Sequence, residues 1–416
     1  MSGPVRLELG NGAVLLLHED STSPSIAFRG SVRAGAAYGP PGVAEFVARL
    51  LLRGTTRRSA AKIADATEDL GSALAATNGV ESVAVEGRCT RETLKPILAI
   101  LSESLASPAF PAAEVEKVRG EILGDLRAQE DDTRRVATRR LLELVYPAGH
   151  PYHRDPKGDE RTAAQVPRTA IRSFHEESYG AANLILAFSG DLDEDALRTV
   201  VADAFEDLDA GVRKKPLPPP KSGKRTHEIL PMPHKSQADF VAGRVALPRS
   251  HPDYYALNLA NILFGRIGLY GRLGQKVRDT LGLAYYSFSA LEARHAGGHW
   301  YVNAGVNPKN LEKAVAAIRA EMERLHREPF TDREIRDGKD HMIGTVQVAL
   351  ERSSDHAAAL HDIESYGLGP DYLKRHPSIV QSLDADFVRA KAREYFEPGA
   401  CSWVASGPVK GAKLAF

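Results

Sequence analysis

Between Asp209 and Lys224 the chain reads Asp-Ala-Gly-Val-Arg-Lys-Lys-Pro-Leu-Pro-Pro-Pro-Lys-Ser-Gly-Lys, and no other stretch limits the fold so strongly. Four prolines remove backbone donors and fix φ, so the segment can join neither a helix interior nor a central strand. Five basic side chains repel one another and keep it solvated and extended. The chain is thereby cut almost in half, and 416 residues is in any case more than one hydrophobic core usually serves. We read residues 1–208 as one domain, 209–226 as a Pro/Lys-rich linker and 227–416 as a second domain.

The two halves repeat a pattern. In the first, the strand-like Ser82–Gly87 leads through Thr90 to a helix-period run ending near Ser104, and Ala109–Val115 then opens a long helix. In the second, His299–Gly305 leads through Asn307 and Pro308 to a helix, and Glu328–Ile335 opens another long one. Asn307 is suited to cap with Pro308 behind it, and Thr331 with Glu334 three residues on spells a capping box. Each half starts with hairpin-like strands (Val5–Leu9, Ala13–His18 and Ile26–Val32; then Ala238–Leu247) and closes on an apolar strand, Leu184–Phe188 or Cys401–Ala405. Strands at both ends with helices between them predict α+β: two homologous domains, each a mainly antiparallel sheet covered chiefly on one side by helices.

Lys+Arg and Asp+Glu both number 54, so no basic surface speaks for nucleic acid. Cys89 and Cys401 are too few for a disulfide framework and sit in or beside apolar runs, as buried thiols do. No stretch of about 18 apolar residues is present to span a membrane, and residues 1–6 lead into a strand without a signal-like apolar region. The expected compartment is the cytoplasm, or the periplasm if a leader once preceded Met1.

The stretch Gly42-Val43-Ala44-Glu45-Phe46-Val47-Ala48-Arg49-Leu50-Leu51-Leu52-Arg53-Gly54-Thr55 carries the chemistry. It resembles the signature of the pitrilysin and processing-peptidase family of metallopeptidases, G-[LV]-A-H-F-x-E-H-L-x-[FL]-[KR]-G-T. Two His at i and i+4 of that inverted motif grip zinc from one helix face, and the Glu between them is the general base for water. Here the three positions are Glu45, Ala48 and Arg49. Ala48 accepts no proton, and Arg49 is permanently cationic and cannot ligate a cation. The family's third ligand is a Glu about 76 residues beyond the second His. On this chain that position is Asp125 (125 − 49 = 76), within Arg119-Gly-Glu-Ile-Leu-Gly-Asp-Leu-Arg127. Glu45, Arg49 and Asp125 are therefore expected to form a charge cluster at degenerate zinc-site positions, with no metal on this chain.

The resemblance runs along nearly the whole chain, through Gly149-His-Pro-Tyr152 and Phe174–Leu184 to Val277-Arg-Asp-Thr-Leu-Gly-Leu-Ala-Tyr-Tyr-Ser287. The last is similar to the family's V-R-E-x-x-G-L-A-Y-S, whose Arg and Tyr, seven residues apart, form a substrate-binding pair. Arg278 and Tyr285 keep both residue types and the spacing. What the resemblance implies is Arg278 anchoring peptide carbonyls and Tyr285 donating to the carbonyl oxygen as charge develops on it. The glycines 265, 268, 271 and 274 sit where the family has a flexible loop, and ordinary turn chemistry accounts for them equally well. The His150/His153 and His295/His299 pairs read as loop and hairpin residues.

A ruined metal helix beside a kept Arg/Tyr pair implies the non-catalytic, substrate-binding subunit of a heterodimeric zinc metallopeptidase. Its expected partner is a homologous subunit bearing H-x-x-E-H and the zinc. Its expected substrate is a peptide or unfolded chain, paired along an edge strand near Leu74–Asn78. An isolated copy is expected to be able to pair with itself through the partner's surface. The alternative is a catalytically inactive structural or assembly protein of the same fold, which would have no need of Arg278 and Tyr285.

Overall fold

Alternation of apolar and polar residues sets both sheets. The computed structural model describes residues 4–409, 411, 412 and 414, apart from 23, 192 and 224. Residues 1–3 and Lys224, which the sequence reading took in, lie outside the described residues.

The first compact unit comprises Met1–Arg127, Asp155–Lys215 and Gln347–Pro370. Its sheet contains β1 (Val5–Glu8), β2 (Val14–Glu19), β3 (Ser25–Val32), β4 (Ala73–Asn78), β5 (Val83–Thr90) and β6 (Leu184–Gly190), in the order β1-β2-β6-β3-β5-β4. All neighbours are antiparallel except β2 and β6. Successive side chains of a strand face opposite ways. Leu15, Leu17, Ile26, Phe28, Val83, Val85, Leu186 and Phe188 therefore point together into the main core. There they meet helices Val43–Leu50, Arg91–Ala106, Ala112–Glu130 and Arg168–Ser178. The opposite parity, Leu16, Ile185 and Ala187, packs on Leu360 of helix Ser353–Ser365.

The second unit comprises Ala128–Arg154, Pro216–Val346 and Asp371–Phe416. Its strands are β7 (His227–Pro231), β8 (Ala238–Ala246), β9 (Ala284–Ala293), β10 (Gly298–Val306) and β11 (Ser402–Gly407), ordered β7-β11-β8-β10-β9. Phe240, Ala242, Trp300, Val302, Trp403 and Ala405 enter the core with Leu257, Ile318, Met322 and Val388. Helix Thr133–Val145 lies on β8 and β11. A side chain on Gly243 would begin 2.6 Å from the Trp300 carbonyl oxygen and 3.0 Å from Leu141 of this helix, so glycine lets the strand and helix approach closely there. The capping box of Thr331 and Glu334 is present, with both amide bonds at 2.8 and 3.2 Å.

These units differ from the contiguous stretches 1–208 and 227–416. Each contains one helical segment from the other half of the sequence: Thr133–Val145 in the second unit, Ser353–Ser365 in the first. The physical reason is that a sheet has two faces, and the second face of each needs an apolar cover. Periodicity identifies a helix's apolar side but not the sheet that side will cover.

Candidate functional site

The helix Val43–Leu50 starts after Gly42, whose φ of +81° turns the chain in a conformation other residues resist. Phe46, Val47 and Leu50 enter the core and fix the helix's rotation. That rotation buries Ala48 and Glu45, with Glu45 only 6% exposed, and leaves Arg49 at the margin. Arg49 lies between two carboxylates: Nε donates to Glu45 Oε1 at 2.7 Å and Nη2 to Asp125 Oδ2 at 2.5 Å. Lys157 Nζ adds a third contact, 3.1 Å from the same Asp125 oxygen.

Burial works against the charge of Arg49, but its bonds to Asp125 and Glu45 outweigh that and raise its pKa above the ordinary value. The hydrogen bond from Arg49 is the main cause holding the Asp125 carboxyl below its usual range, with Lys157 helping. One turn on, Arg53 repeats the arrangement, with Nη2 3.0 and 3.1 Å from the Glu121 oxygens and Nη1 3.4 Å from Glu114. Two arginines four residues apart thus clamp helix Ala112–Glu130 through acids that are also four apart, Glu121 and Asp125. The sequence reading missed Arg53 and Lys157. The matching spacing of four on both helices was the available signal for Arg53, and nothing local marks Lys157.

These residues do not fit a zinc ion. A guanidinium fills the space between the carboxylates, Ala48 offers no base, and among the described residues no group of three His, Cys, Asp or Glu is placed to hold a metal. Beside this cluster, β4 is the outermost strand of its sheet and contains Leu74–Asn78. Its outer row of backbone donors and acceptors has no neighbouring strand among the described residues of the unit.

In the second unit, Arg278 lies in a short π-helical turn, Gln275–Thr280, pinned by buried Val277 and by Thr280 Oγ1 donating to the Gln275 carbonyl at 2.8 Å. The Asp279 carboxylate lies 4.0 Å from its Nε. Gly282, at φ +61°, then turns the chain into β9, one of the two edge strands of this sheet. Strand alternation separates the two tyrosines that follow. Tyr285 is 61% exposed, while Tyr286 turns inward and donates to buried Asp239. Asp239 also accepts from Thr133 Oγ1 at 2.5 Å and Gln237 Nε2 at 3.0 Å. The Arg134 guanidinium stacks over Tyr286 and Phe288, 5.1 Å from each ring. Burial and the Asp239 contact push the Tyr286 hydroxyl far above its usual range, so it stays protonated as a donor. This network was not read from the sequence, although an Asp inside the apolar run Ala238–Val241 was its visible sign.

Cys89 and Cys401 are buried free thiols, both pushed up to about 12 by desolvation, which leaves them without nucleophilic character. His150 and His153 bond to backbone carbonyls, Pro218 at 3.0 Å and Tyr146 at 2.9 Å, and Gly297 stands in the turn between His295 and His299. No helix among the described residues is long and apolar enough to cross a membrane.

Comparison with known proteins adds two family matches: residues 14–151 match insulinase (peptidase family M16), and residues 165–342 match the peptidase M16 inactive domain. An uncharacterised zinc protease of Mycobacterium tuberculosis is 26% identical over 348 residues, covering 82% of this chain and 77% of the relative. One of Rickettsia bellii is 24% identical over 407 residues, covering 95% and 96%. A crystal structure from Pseudomonas fluorescens described as a peptidase M16 inactive domain superposes with a TM-score of 0.93 at 22% identity, covering 99% of this chain and all of that one. A protease from Helicobacter pylori superposes at 0.88 and 20% identity, covering 97% and 99%.

Proposed function

We propose, given that this chain belongs to the M16 family of peptidases, that it is the non-catalytic, substrate-binding subunit of a two-chain zinc metallopeptidase. The observation that carries this reading is Arg49, paired to Glu45 and Asp125 where the family's signature has its metal-binding His. The presentation of Arg278 and exposed Tyr285 at an edge strand supports the other half of it.

In this role the chain's own residues bind and orient. An extended peptide pairs by its main chain along β4, where each added residue brings backbone hydrogen bonds without regard to side chain. In the second unit, considered by itself, Arg278 is suited to donate to a peptide carbonyl beside the bond to be cleaved and Tyr285 to donate its hydroxyl to the carbonyl attacked at the partner's zinc. The partner, a homologue with an intact H-x-x-E-H helix, brings the zinc.

Mixing the purified chain with such a homologue from the same organism tests the reading. Peptidase activity is expected only in the mixture. Tyr285→Phe in this chain should lower kcat about 10²-fold, as loss of one oxyanion donor does, and Arg278→Ala should act mainly on KM. Stoichiometric zinc on this chain alone, or mixed activity indifferent to both substitutions, overturns it. The second outcome would favour an assembly protein of the same fold.

A further inference from the structure

The outer strands of the first sheet are bare on the face turned away from the main core. Helix Ser353–Ser365 covers β3 and β6 there but stops short of β5 and β4, leaving a groove of about 670 Å³. Small residues form its floor and wall, with Ala27 on β3, Ala73 and Ala75 on β4 and Ala358 on the helix. The volume falls within the range of small-molecule sites.

The helix N-terminus opens into this groove. Residue Arg352, at the N-cap, is extended and makes no side-chain cap. The amides of Asp355 and His356 bond back to the Arg352 carbonyl at 3.0 and 2.9 Å. Those of Ser353 and Ser354, which line the groove, have no acceptor among the described residues. A second observation concerns the side chain at the helix start rather than its backbone. Ser353 is only 9% exposed, it lines the groove, and its hydroxyl has no hydrogen-bond partner among the described residues. The residue is buried on its other sides, and its hydroxyl is left as a free donor and acceptor at the groove wall. From the floor, Arg88 adds a guanidinium that no carboxylate engages among the described residues, whereas its neighbour Arg29 is paired with Glu86.

We propose that this groove binds a ligand with an anionic head, carboxylate or phosphate, and a compact apolar body. The head meets the amides of Ser353 and Ser354, the Ser353 hydroxyl and Arg88, and the body lies over Ala27, Ala73 and Ala75. Backbone amides at a helix start and a guanidinium are the donors such oxyanions select. Glu351 and Asp355 also border the groove and balance Arg88 and Arg352, so recognition comes from fixed donors at short range rather than from a net positive field.

Calorimetric titration of the whole chain with hexanoate and monohexyl phosphate, and with acetate and inorganic phosphate as bare heads, tests the site and separates the two head chemistries. Saturable binding of at least one six-carbon probe is expected, at least about tenfold tighter than its bare head because of the buried methylenes. Arg88→Ala should weaken it at least about tenfold. Ser353→Asp should abolish it while leaving the helix intact or firmer, since an acid in the first turn suits the dipole. No saturable heat up to concentrations on the order of 10 mM, or Arg88→Ala and Ser353→Asp both leaving affinity unchanged, overturns the proposal. If Ser353→Asp fails to fold, Arg88→Ala decides alone.

Discussion

Arg49 shows how much one side chain can report. Its identity alone rules out metal ligation, and the resemblance to the family, whose third ligand falls at Asp125, pointed to a partner before any fold was known. Lys157 was beyond reach, because a loop residue's contact depends on where the fold returns the chain. The energetics follow burial. Removing Arg49 leaves Glu45 as a buried carboxylate without its cation, so Arg49→Met is expected to cost about 2–3 kcal/mol in urea unfolding. Asp125 is half exposed and retains Lys157 when its charge pairing weakens, so Asp125→Asn should cost under about 1 kcal/mol. The pH dependence of this residue has a definite sign. Its folded pKa is depressed, so its contribution is present above the ordinary value of 3.8 and is lost as pH falls through the lower folded value. Tyr285 and Tyr286 give a second lesson at this scale. The adjacent pair was legible as a motif, and strand alternation alone decides which of them faces solvent.

At the level of elements, strands and capping signals were the most legible features, since period-two apolar runs and Thr331 with Glu334 act locally. What periodicity could not assign was the sheet that each amphipathic helix covers. Helix Ser353–Ser365 presents Leu360 to Leu16, Ile185 and Ala187, a contact between residues more than 150 positions apart that no local pattern encodes. Leu360→Ala should therefore destabilise the first unit by about 2–4 kcal/mol, the usual cost of a buried Leu. Hydrogen exchange is the measurement, and faster exchange should appear in β2 and β6 first. Equal protection in variant and parent would show that the helix contributes nothing to that face.

On the scale of the whole molecule, several histidines are held neutral by burial in each unit. Desolvation lowers His299 to about 3 and His356 to about 4, and it also depresses His175. A histidine whose folded pKa lies below its unfolded value of 6.5 contributes fully above that pH, and the contribution falls as pH drops toward the folded value. Tm should accordingly be flat above pH 7 and fall steeply between pH 6 and 4. Fully buried His299 alone supplies a slope of about 1.4 kcal/mol per pH unit across that window, and His299→Gln should flatten the fall. The two-part plan of the molecule was visible in the linker and the repeated order of elements, whereas the exchange of helices was not. That exchange governs how the protein is born. A ribosome that has finished the first half has made a sheet with one wet face, and the strip that seals it emerges only when translation passes residue 365. The second face of the first sheet therefore stays uncovered as synthesis proceeds and must wait, tended or sheltered, for helix Ser353–Ser365.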